Sequence, residues 1–295
     1  MNLGGTGRGT AVRLAVAMAL TCDGVSRANA QSIDRKVLRD GKITIGIHNQ
    51  ALWGYKNTDG SVGLGPDIIR AVLGPMGVKQ IDFVVMDFDA LIPSLLSRRI
   101  DAVASGLAIT PQRCQQVVFS NPDLAIGDAV LVRKGTLLNV HKFADVAKNP
   151  AVCMAGGRGS SVTEQAVSAG IPKDRIVLLK DLESSVGALL AGRIDADAEL
   201  SATVINVLRD PKVSDKLERA TPFTGLVANG RPVANYAAIA FRPEDVQLRD
   251  VYNSGLTKRR VDGTVKHVFA KYGFSEAEVA PEDVTAKKIC GASYR

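Results

Sequence analysis

The stretch that decides the fold is LLSRRIDA at residues 95–102, which returns as LLAGRIDA at residues 189–196. Six of the eight positions are identical, and the second copy begins 94 residues after the first. In each copy, a run with helical apolar spacing ends at small or basic residues and passes directly into a strand that buries Ile and Ala. This is the helix-to-strand step of a βαβ unit. One such unit in each half of the chain predicts two similar α/β lobes.

The size and composition of the chain agree with two lobes. A single hydrophobic core rarely serves more than about 250–300 residues, and the chain has 295. Its residues are 46% apolar and 23% charged, as is typical of a globular protein. The net charge is +7, but the basic residues are scattered and not interleaved with aromatic residues. We therefore expect no nucleic-acid partner.

Residues 1–30 have the pattern of a secretory signal peptide. Arg8 and Arg13 precede an apolar run at residues 14–20, and Ala-Asn-Ala at residues 28–30 provides a cleavage site. Cleavage would remove three Arg and one Asp and so lower the net charge from +7 to +5. No later segment has the roughly 18 consecutive apolar residues of a membrane-spanning helix. The mature chain is expected to be soluble and periplasmic.

The cysteines predict one disulfide and one free thiol. Cys22 lies inside the expected signal peptide and is an alternative lipidation site, although Thr rather than a smaller residue precedes it. Cys114, Cys153 and Cys290 remain after cleavage, an odd number in an oxidising compartment. There is no CxxC pair and the three His residues lie far apart in sequence, so neither a metal site nor a cofactor is predicted.

Strand signals recur along the chain with helical segments between them. Alternating Ile residues predict an opening strand at residues 42–48. Strand-like segments at 127–134 and 235–241 would form a two-strand hinge, with the first lobe built from both chain ends. A linear two-domain chain is an alternative that the pattern leaves open. Further strands are predicted at 81–88, 99–104, 151–155, 176–179 and 194–198. The expected organisation is a signal peptide at 1–30, lobe 1 at 31–127 plus 236–295, and lobe 2 at 128–235.

Arg113 is a candidate anion-binding residue. Thr110 and Pro111 predict the N-cap and first residue of a helix, which places Arg113 in the first turn. A cation at this end opposes the helix dipole by up to about 1 kcal/mol. A ligand carboxylate gripped by the planar guanidinium would explain its presence. Pairing with a structural acid explains it equally well from sequence, and both interpretations stay open.

A glycine-rich turn at residues 155–161, AGGRGSS, links a predicted strand to a helix in the second half. Such turns let backbone N–H groups approach a ligand closely. The turn satisfies neither nucleotide-binding fingerprint. Ser161 and Glu164 also fit a capping box, which requires no ligand.

Aromatic and acidic residues supply the remaining candidates. Trp53, the only Trp, follows the first strand, and Phe88 is expected to close the second strand. Ligands of open α/β sheets gather at such strand ends, although packing is the alternative for each ring. Asp197 and Glu199 follow the second RIDA copy and could hold an amine or act as an acid, or be solvated. The chain has no GxSxG, HExxH or Cys/His pattern, so no enzyme activity is predicted.

Taken together, these strings resemble the solute-binding proteins of polar amino-acid ABC importers (family 3), and most closely their ectoine/hydroxyectoine-binding branch. The resemblance begins at residue 65 and continues to residue 274. It is carried by residues 94–102, 109–113, 119–122, 191–196, 241–245, 262–264 and 271–274.

The resemblance implies a type II periplasmic binding protein fold of the α/β class, with a βαβ-based mixed sheet in each lobe and a two-strand hinge. The lobes would close on a small zwitterion or amino acid and present it to the transmembrane subunits of an ABC permease, the binding protein itself acting as a monomer. Arg113 would clamp the ligand carboxylate. The other implied ligand-binding residues are Gln50, Trp53, Phe88, Gly106, Ala108, Gly159, Ser160, Ser161 and Glu199.

Three positions depart from the pattern. Ala108 stands where the ectoine branch has an aromatic wall, and Gln50 where that branch tends to carry an acid. Leu200 stands where α-amino-acid binders carry the acid that holds the ammonium group, with Glu199 beside it. The carboxylate-binding half is therefore better preserved than the cation-binding half.

If the chain's tail returns to lobe 1, Cys114 and Cys290 would form the disulfide and Cys153 would be the free thiol. Two alternatives to a transport protein are kept. One is an enzyme on the same fold, similar to cyclohexadienyl or arogenate dehydratases, in which Glu199 would act as the acid. The other is a periplasmic sensor subunit for a membrane receptor.

Overall fold

The computed structural model describes Met1, residue 37 and residues 39–228 and 230–295. Residues 2–30 of the expected signal peptide, including Cys22, lie outside them. The strands are β1 Lys42–Ile47, β2 Tyr55–Asn57, β3 Gly60–Val62, β4 Gln80–Val85, β5 Ala102–Val103, β6 Val118–Phe119, β7 Leu124–Ile126, β8 Asp128–Arg133, β9 Met154–Gly157, β10 Ile176–Leu179, β11 Ala196–Leu200, β12 Leu217–Arg219, β13 Val227–Ala228, β14 Arg231–Pro232, β15 Asn235–Ala237 and β16 Ala240–Phe241. The α-helices are α1 Leu64–Leu73, α2 Leu91–Leu96, α3 Pro111–Cys114, α4 Phe143–Lys148, α5 Ser161–Ser168, α6 Leu182–Leu190, α7 Ser201–Val207, α8 Pro211–Ser214, α9 Val246–Val261, α10 Thr264–Lys271 and α11 Ala286–Cys290.

Two five-stranded mixed sheets organise the chain, as the repeat predicts. The first has the order β4-β1-β5-β16-β6, and the second has the order β10-β9-β11-β8-β12. In each sheet, one strand runs antiparallel to the other four, β16 in the first sheet and β8 in the second. The first sheet thus takes its strands from both ends of the chain, since β16 pairs between β5 and β6.

Strands β7 and β15 pair antiparallel outside both sheets, with Asn235 opposite Ile126 and Ala237 opposite Leu124. Strand β8 of the second sheet begins directly after β7. Strand β16 of the first sheet follows β15 after two residues. The chain therefore passes between the sheets at this short ladder. None of the described helices is long and apolar enough to cross a membrane.

The Asp of the first RIDA copy fixes the start of a neighbouring strand. The Asp101 carboxylate accepts a hydrogen bond from the backbone N–H of Thr44 at 2.9 Å, and the Asp101 N–H donates to the Thr44 carbonyl at 2.7 Å. Arg242, which follows β16, lies 3.2 Å from the same carboxylate. Ile100, the residue before it, is buried. The copy thus links three strands of the first sheet through one carboxylate.

The second copy repeats this arrangement in the other sheet. Asp195 accepts from the N–H of Cys153 at 3.0 Å and donates its own N–H to the Cys153 carbonyl at 2.8 Å. Arg133, at the end of β8, lies 2.7 Å from the Asp195 carboxylate. The sequence identity of the two copies therefore has a structural cause, because each Asp joins the start of one strand to an Arg on an antiparallel strand.

The helix before each copy ends in the same backbone conformation. Gly192 has φ +67° and Arg98, at the matching position, has φ +62°. This left-handed conformation ends a helix at low cost for Gly and at a cost of about 1–2 kcal/mol for other residues.

The structure corrects several predicted bounds. Strand β4 ends at Val85, so Phe88 does not close it but begins a short 3₁₀ turn, Phe88–Ala90. The strand after the first copy spans only two residues, Ala102 and Val103, rather than residues 99–104. The helix that begins after Thr110 is a single turn.

A disulfide joins Cys114 to Cys290 in the structure, with a Cα–Cα distance of 5.5 Å, and Cys153 is free. Cys114 is the last residue of α3 and Cys290 the last residue of α11. The bond therefore anchors the one-turn helix that carries Arg113 to the C-terminal segment.

Gly192→Ala tests the role of the left-handed turn. A Cβ at this position meets no atom within 4 Å, so its effect arises from backbone strain alone. We expect unfolding free energy to fall by about 1 kcal/mol, the strain being partly offset by the lower entropy of the unfolded chain. Gly187→Ala is the matched control, because Gly187 lies within α6 with equally open surroundings and ordinary φ, and it should gain roughly 0.5–1 kcal/mol. Urea denaturation measures both, and equal effects would contradict the assignment.

Replacing both Cys114 and Cys290 by Ser should lower the free energy of unfolding by about 2–5 kcal/mol, since the bond closes a long loop in the unfolded chain. Cys153→Ser is the control and should change little. Mass mapping of non-reduced peptides should recover a Cys114–Cys290 pair. A linked peptide containing Cys153 would contradict this arrangement.

Candidate functional site

A cavity of about 60 Å³ lies between the two sheets. Residues from both sheets line it, and they lie at the carboxyl ends of the parallel strands. Such strand ends are where open α/β sheets bind ligands. Seven of the ten predicted ligand-binding residues line this cavity, namely Gln50, Trp53, Phe88, Gly106, Ser160, Ser161 and Glu199. The other three, Ala108, Arg113 and Gly159, contact one another beside it.

Trp53 links the two sides of the cavity. Its ring is 4% exposed, and its Nε1–H donates to Thr203 Oγ1 on α7 at 3.0 Å. The ring also lies against the backbone of Gly106, where an added Cβ would be only 2.6 Å from a ring carbon. Gly106 has φ +64°, so only glycine meets both requirements without strain. The tryptophan is thus held by a glycine on the first-sheet side and a hydroxyl on the second.

His48 and Phe88 form the adjoining wall. Their ring centroids are 5.8 Å apart in an edge-to-face arrangement. The backbone N–H of His48 donates to Ser105 Oγ at 2.8 Å. Burial lowers the pKa of His48 below its usual value, while the nearby Asp181 carboxylate opposes this effect. The imidazole is therefore neutral at pH 7, and this wall carries no charge.

Arg113 bridges the two sides. Its Nη1–H donates to the carbonyl of Ala108 and its Nη2–H to the carbonyl of Gly159, each at 2.6 Å. The side chain is buried, and its guanidinium carbon lies 5.8 Å from the centroid of the Phe88 ring. Burial lowers the pKa of Arg113, but the group stays charged because its usual value lies far above 7. A full positive charge thus lies directly behind a wall of the cavity.

The two serine hydroxyls of the glycine-rich turn make hydrogen bonds other than those predicted from the sequence. Ser160, and not Ser161, is the N-cap of α5, and its Oγ accepts from the N–H of Val162 at 3.3 Å. Ser161 Oγ instead donates to Asn235 Oδ1 at 2.7 Å. The predicted capping box is therefore wrong by one residue. Since Ser161 does not cap the helix, its hydroxyl is available to connect the cavity to β15.

Asn235 makes four side-chain hydrogen bonds at the crossing between the sheets. Its Oδ1 accepts from Ser161 and from Gln165 Nε2 at 2.7 and 2.8 Å. Its Nδ2 donates to the Ile126 carbonyl and to Asp128 Oδ1 at 3.2 and 2.7 Å. Burial raises the pKa of Asp128 to about 6, and the hydrogen bond from Asn235 limits this rise. The N-terminal turn of α5 is thus tied to the ladder that joins the sheets.

Two acids lie on β11 at the second-sheet side. Glu199 lines the cavity, whereas Asp197 is fully buried beneath it. Burial raises the pKa of Asp197 to about 7. Burial and the adjacent Asp197 carboxyl together raise the pKa of Glu199 well above its ordinary range. Leu200, which stands in place of the expected acid, also lines the cavity.

The mouth of the cavity carries charges that the sequence prediction missed. Arg158 lies 4.0 Å from Asp89 on the opposite side, and Lys180 lies 3.4 Å from Asp181. These side chains are between 30% and 58% exposed, so the pairs contribute little to stability. Lys180 and Asp181 directly follow β10, so the same strand-end rule that selected Trp53 could have found them. Among the described residues, no group of three His, Cys, Asp or Glu side chains could hold a metal ion.

Comparisons with known proteins agree with this geometry. The model of the bacterial extracellular solute-binding proteins, family 3, matches residues 43–276. A probable amino-acid ABC transporter periplasmic-binding protein of Sinorhizobium fredii is 35% identical over 254 residues, covering 85% of this chain and 83% of that protein. The lysine/arginine/ornithine-binding periplasmic protein of Escherichia coli is 28% identical over 214 residues, which cover 72% and 78% of the two chains.

Solved structures show the same fold. The crystal structure of EhuB in complex with hydroxyectoine superposes with a TM-score of 0.78 at 28% identity, covering 89% of this chain and 99% of that one. An ancestral amino acid-binding protein, a precursor of cyclohexadienyl dehydratase, superposes with a TM-score of 0.70 at 25% identity, covering 81% and 98%. The predicted two-lobed type II fold is thereby confirmed.

The curated relatives are binding proteins of transporters, which confirms the prediction that the chain is not an enzyme. The dehydratase alternative is represented among these structures by a precursor of cyclohexadienyl dehydratase that is itself an amino acid-binding protein. With a family model that spans residues 43–276, the chain belongs to the bacterial extracellular solute-binding proteins, family 3.

Proposed function

We propose that this protein captures a small solute bearing a carboxylate and a cationic group between its two lobes and delivers it to the transmembrane subunits of an ABC importer. The observation that carries the proposal is the buried Arg113, whose N–H groups face carbonyls on both sides of the cavity. The relatives' amino-acid and hydroxyectoine ligands belong to the same chemical class.

Capture follows from the placement of charge. A ligand carboxylate is a stronger acceptor for a guanidinium than a backbone carbonyl, because both partners of the hydrogen bond are then charged. We propose that it displaces the Ala108 and Gly159 carbonyls from Arg113 and also accepts from the backbone of the turn at residues 159–161. Trp53 and Phe88 would enclose the rest of the ligand, and Gln50 would offer its amide. Because these groups come from both sheets, binding would favour the closed arrangement.

The lobes and the location of the protein belong to the same proposal. Lobe 1 would comprise residues 31–127 plus 236–295, and lobe 2 residues 128–235, in keeping with the strands that each sheet contains. Residues 1–30 would direct export to the periplasm and be removed there. The mature protein would act as a monomer and bind no nucleic acid. A permease would recognise the closed form.

Fluorescence of the lone Trp53 tests capture directly. Titration with L-arginine, L-ornithine, L-histidine, ectoine, hydroxyectoine, glycine betaine and octopine should give a saturable change for at least one compound, because the ring lines the cavity and contacts both sides. The same compound should raise the melting temperature as its concentration increases. Agmatine, which resembles arginine without the carboxylate, is the control and should produce neither effect. If no zwitterion in this panel acts at millimolar concentration, the proposed function fails.

Arg113→Ala should weaken binding of the active compound by roughly 30-fold or more, since truncating one partner of a buried charged pair costs about 2–5 kcal/mol. Arg113→Lys keeps the charge but loses the planar fork, so its affinity should lie between the two. Arg158→Ala is the matched control at the exposed mouth and should cost less than Arg113→Ala. Isothermal titration calorimetry measures all three. Wild-type affinity in Arg113→Ala, together with a large loss in Arg158→Ala, would move the carboxylate site to Arg158.

A further inference from the structure

We infer that Asp197 and Glu199 together form the cation-holding group of the cavity, and that the ligand's cation takes the place of a proton which the two carboxyls otherwise share. The inference deepens the proposed function and rests on it. It adds Asp197, which does not line the cavity, to the residues that determine the ligand.

The two carboxyls lie on the same face of β11. They are two residues apart, and successive side chains of a strand point to opposite faces. Glu199 lines the cavity while Asp197 lies beneath it at 0% exposure. The partners of this strand confirm the face, because Ala129, Leu131 and Ala155 are registered opposite them. Those three residues belong to the apolar cluster under α6 and α7.

Asp197 lacks the hydrogen bonds that a buried carboxylate requires. Neither of its carboxylate oxygens has a partner among the described residues. The Ser185 hydroxyl of α6 is near enough to lower the pKa of Asp197 against the effect of burial, but it does not meet hydrogen-bond geometry. An unpaired buried carboxylate costs several kcal/mol, so the group either holds a proton or faces a cation.

No cation of the described chain is placed to pair with these acids. The neighbouring strands β8 and β9 present Leu131, Ala129 and Ala155 to them. On α6 the facing polar residue is Ser185, and Glu183 is exposed. On α7 the side chain that lines the cavity is Thr203, which already accepts from Trp53.

Charged side chains on the segments around the acid pair form ion pairs with other residues. Lys180 pairs with Asp181 at the mouth, and Arg133 pairs with Asp195 beyond the other end of the acid pair. His48 across the cavity is buried with a lowered pKa and is neutral at pH 7. Among the described residues, no lysine or arginine therefore lies close enough to lower the pKa of either acid, although Lys180 and Arg158 line the cavity.

Two carboxyls in such surroundings cannot both ionise at neutral pH. Burial raises the pKa of Asp197 to about 7, and burial together with the adjacent Asp197 carboxyl raises the pKa of Glu199 well above its usual range. The protons then belong to the pair rather than to either residue. When an ammonium, guanidinium or amidinium group enters, its charge stabilises one carboxylate of the pair. One proton leaves to solvent, the other stays with the pair, and no covalent bond to carbon changes.

The ligand class follows from this exchange. A carboxylate that lacks a cationic group would meet Arg113 but leave the acid pair protonated and without a partner. Leu200 removes the acid expected one residue further on. Asp181 also lines the cavity on the second-sheet side, but it is paired with Lys180, so Asp197 and Glu199 are the acids of that side that a ligand cation would serve. The ligand is thus a zwitterion whose cation reaches the α6-facing side of β11.

The ligand-free protein tests the shared proton. The unfolded carboxyls ionise near pH 4, whereas the folded pair keeps its proton to about pH 7. Stability from this pair is therefore fully present below pH 4 and is lost as pH rises from about 4 to 7. Asp197→Asn combined with Glu199→Gln should flatten the fall in unfolding free energy between pH 5 and 8. Asp174→Asn, an exposed acid of the same half, is the control and should keep the wild-type slope.

A slope in the double variant equal to that of the wild type would overturn the shared proton. The buried acids Asp123 and Asp128 also contribute to the pH dependence, but equally in every variant, so they cancel in the comparison.

Calorimetry in two buffers of different ionisation enthalpy tests the exchange. The probes are L-arginine with its analogues 5-guanidinopentanoate and L-citrulline, and glycine betaine with 3,3-dimethylbutanoate. The last compound has the shape of glycine betaine and its carboxylate but lacks the positive charge. At pH 6 we expect release of roughly one proton for each zwitterion bound, with affinity rising up to about tenfold per pH unit below pH 7. The analogue without the positive charge, 3,3-dimethylbutanoate, should bind at least about tenfold more weakly than glycine betaine. Asp197→Asn should lower both the proton release and the pH dependence, although Asp197 does not line the cavity.

The outcomes separate the two proposals. Binding of a zwitterion without proton release, and with equal affinity for its uncharged analogue, overturns the inference while the proposed function stands. Failure of every zwitterion to bind overturns the proposed function and the inference with it. A merely structural role of Asp197 would change the stability of Asp197→Asn but leave proton release at the wild-type value, and this also overturns the inference.

Discussion

A buried guanidinium must have its N–H groups satisfied, and this requirement at Arg113 determines how the two halves of the molecule meet. Its two partners, the carbonyls of Ala108 and Gly159, come from opposite sides of the cavity. Gly159 belongs to the turn before α5, and the next helix residue, Ser161, is bonded to Asn235 at the crossing between the sheets. The charge that would bind a ligand is thus connected, through one turn and one amide, to the ladder about which the lobes would move.

The sequence could predict what depends on local pattern. The repeated LLxxRIDA strings gave the two sheets, because the buried Ile and the strand-joining Asp serve the same purpose in each copy. Strand-end reasoning predicted that Trp53 and Phe88 line one cavity, and the family resemblance added Gly106 and Glu199. These residues lie immediately after, or within, strands whose apolar spacing identifies them.

What the sequence could not predict depends on contacts between distant segments. Thr203 looks like an ordinary helix residue, and its role appears only because Trp53, 150 positions away, donates to it. Ser160 and Ser161 both fit an N-cap, and the choice is made by Asn235, which binds the second hydroxyl. The helix of Arg113 is a single turn, so the dipole argument for an anion was weak. The burial of Arg113 between two carbonyls is the stronger argument.

The ionisable side chains on the two sides of the cavity are stabilised in opposite ways. On the first-sheet side, Arg113 keeps its charge because backbone carbonyls accept hydrogen bonds from it. A ligand carboxylate would replace these carbonyls as a stronger acceptor. On the second-sheet side, Asp197 lacks such partners and reduces its charge by holding a proton. Moving the acid from position 200 to position 199 also moves it to the opposite face of β11, since successive strand residues alternate. That face of β11 would therefore set the distance between the positive and negative ends of a fitting ligand.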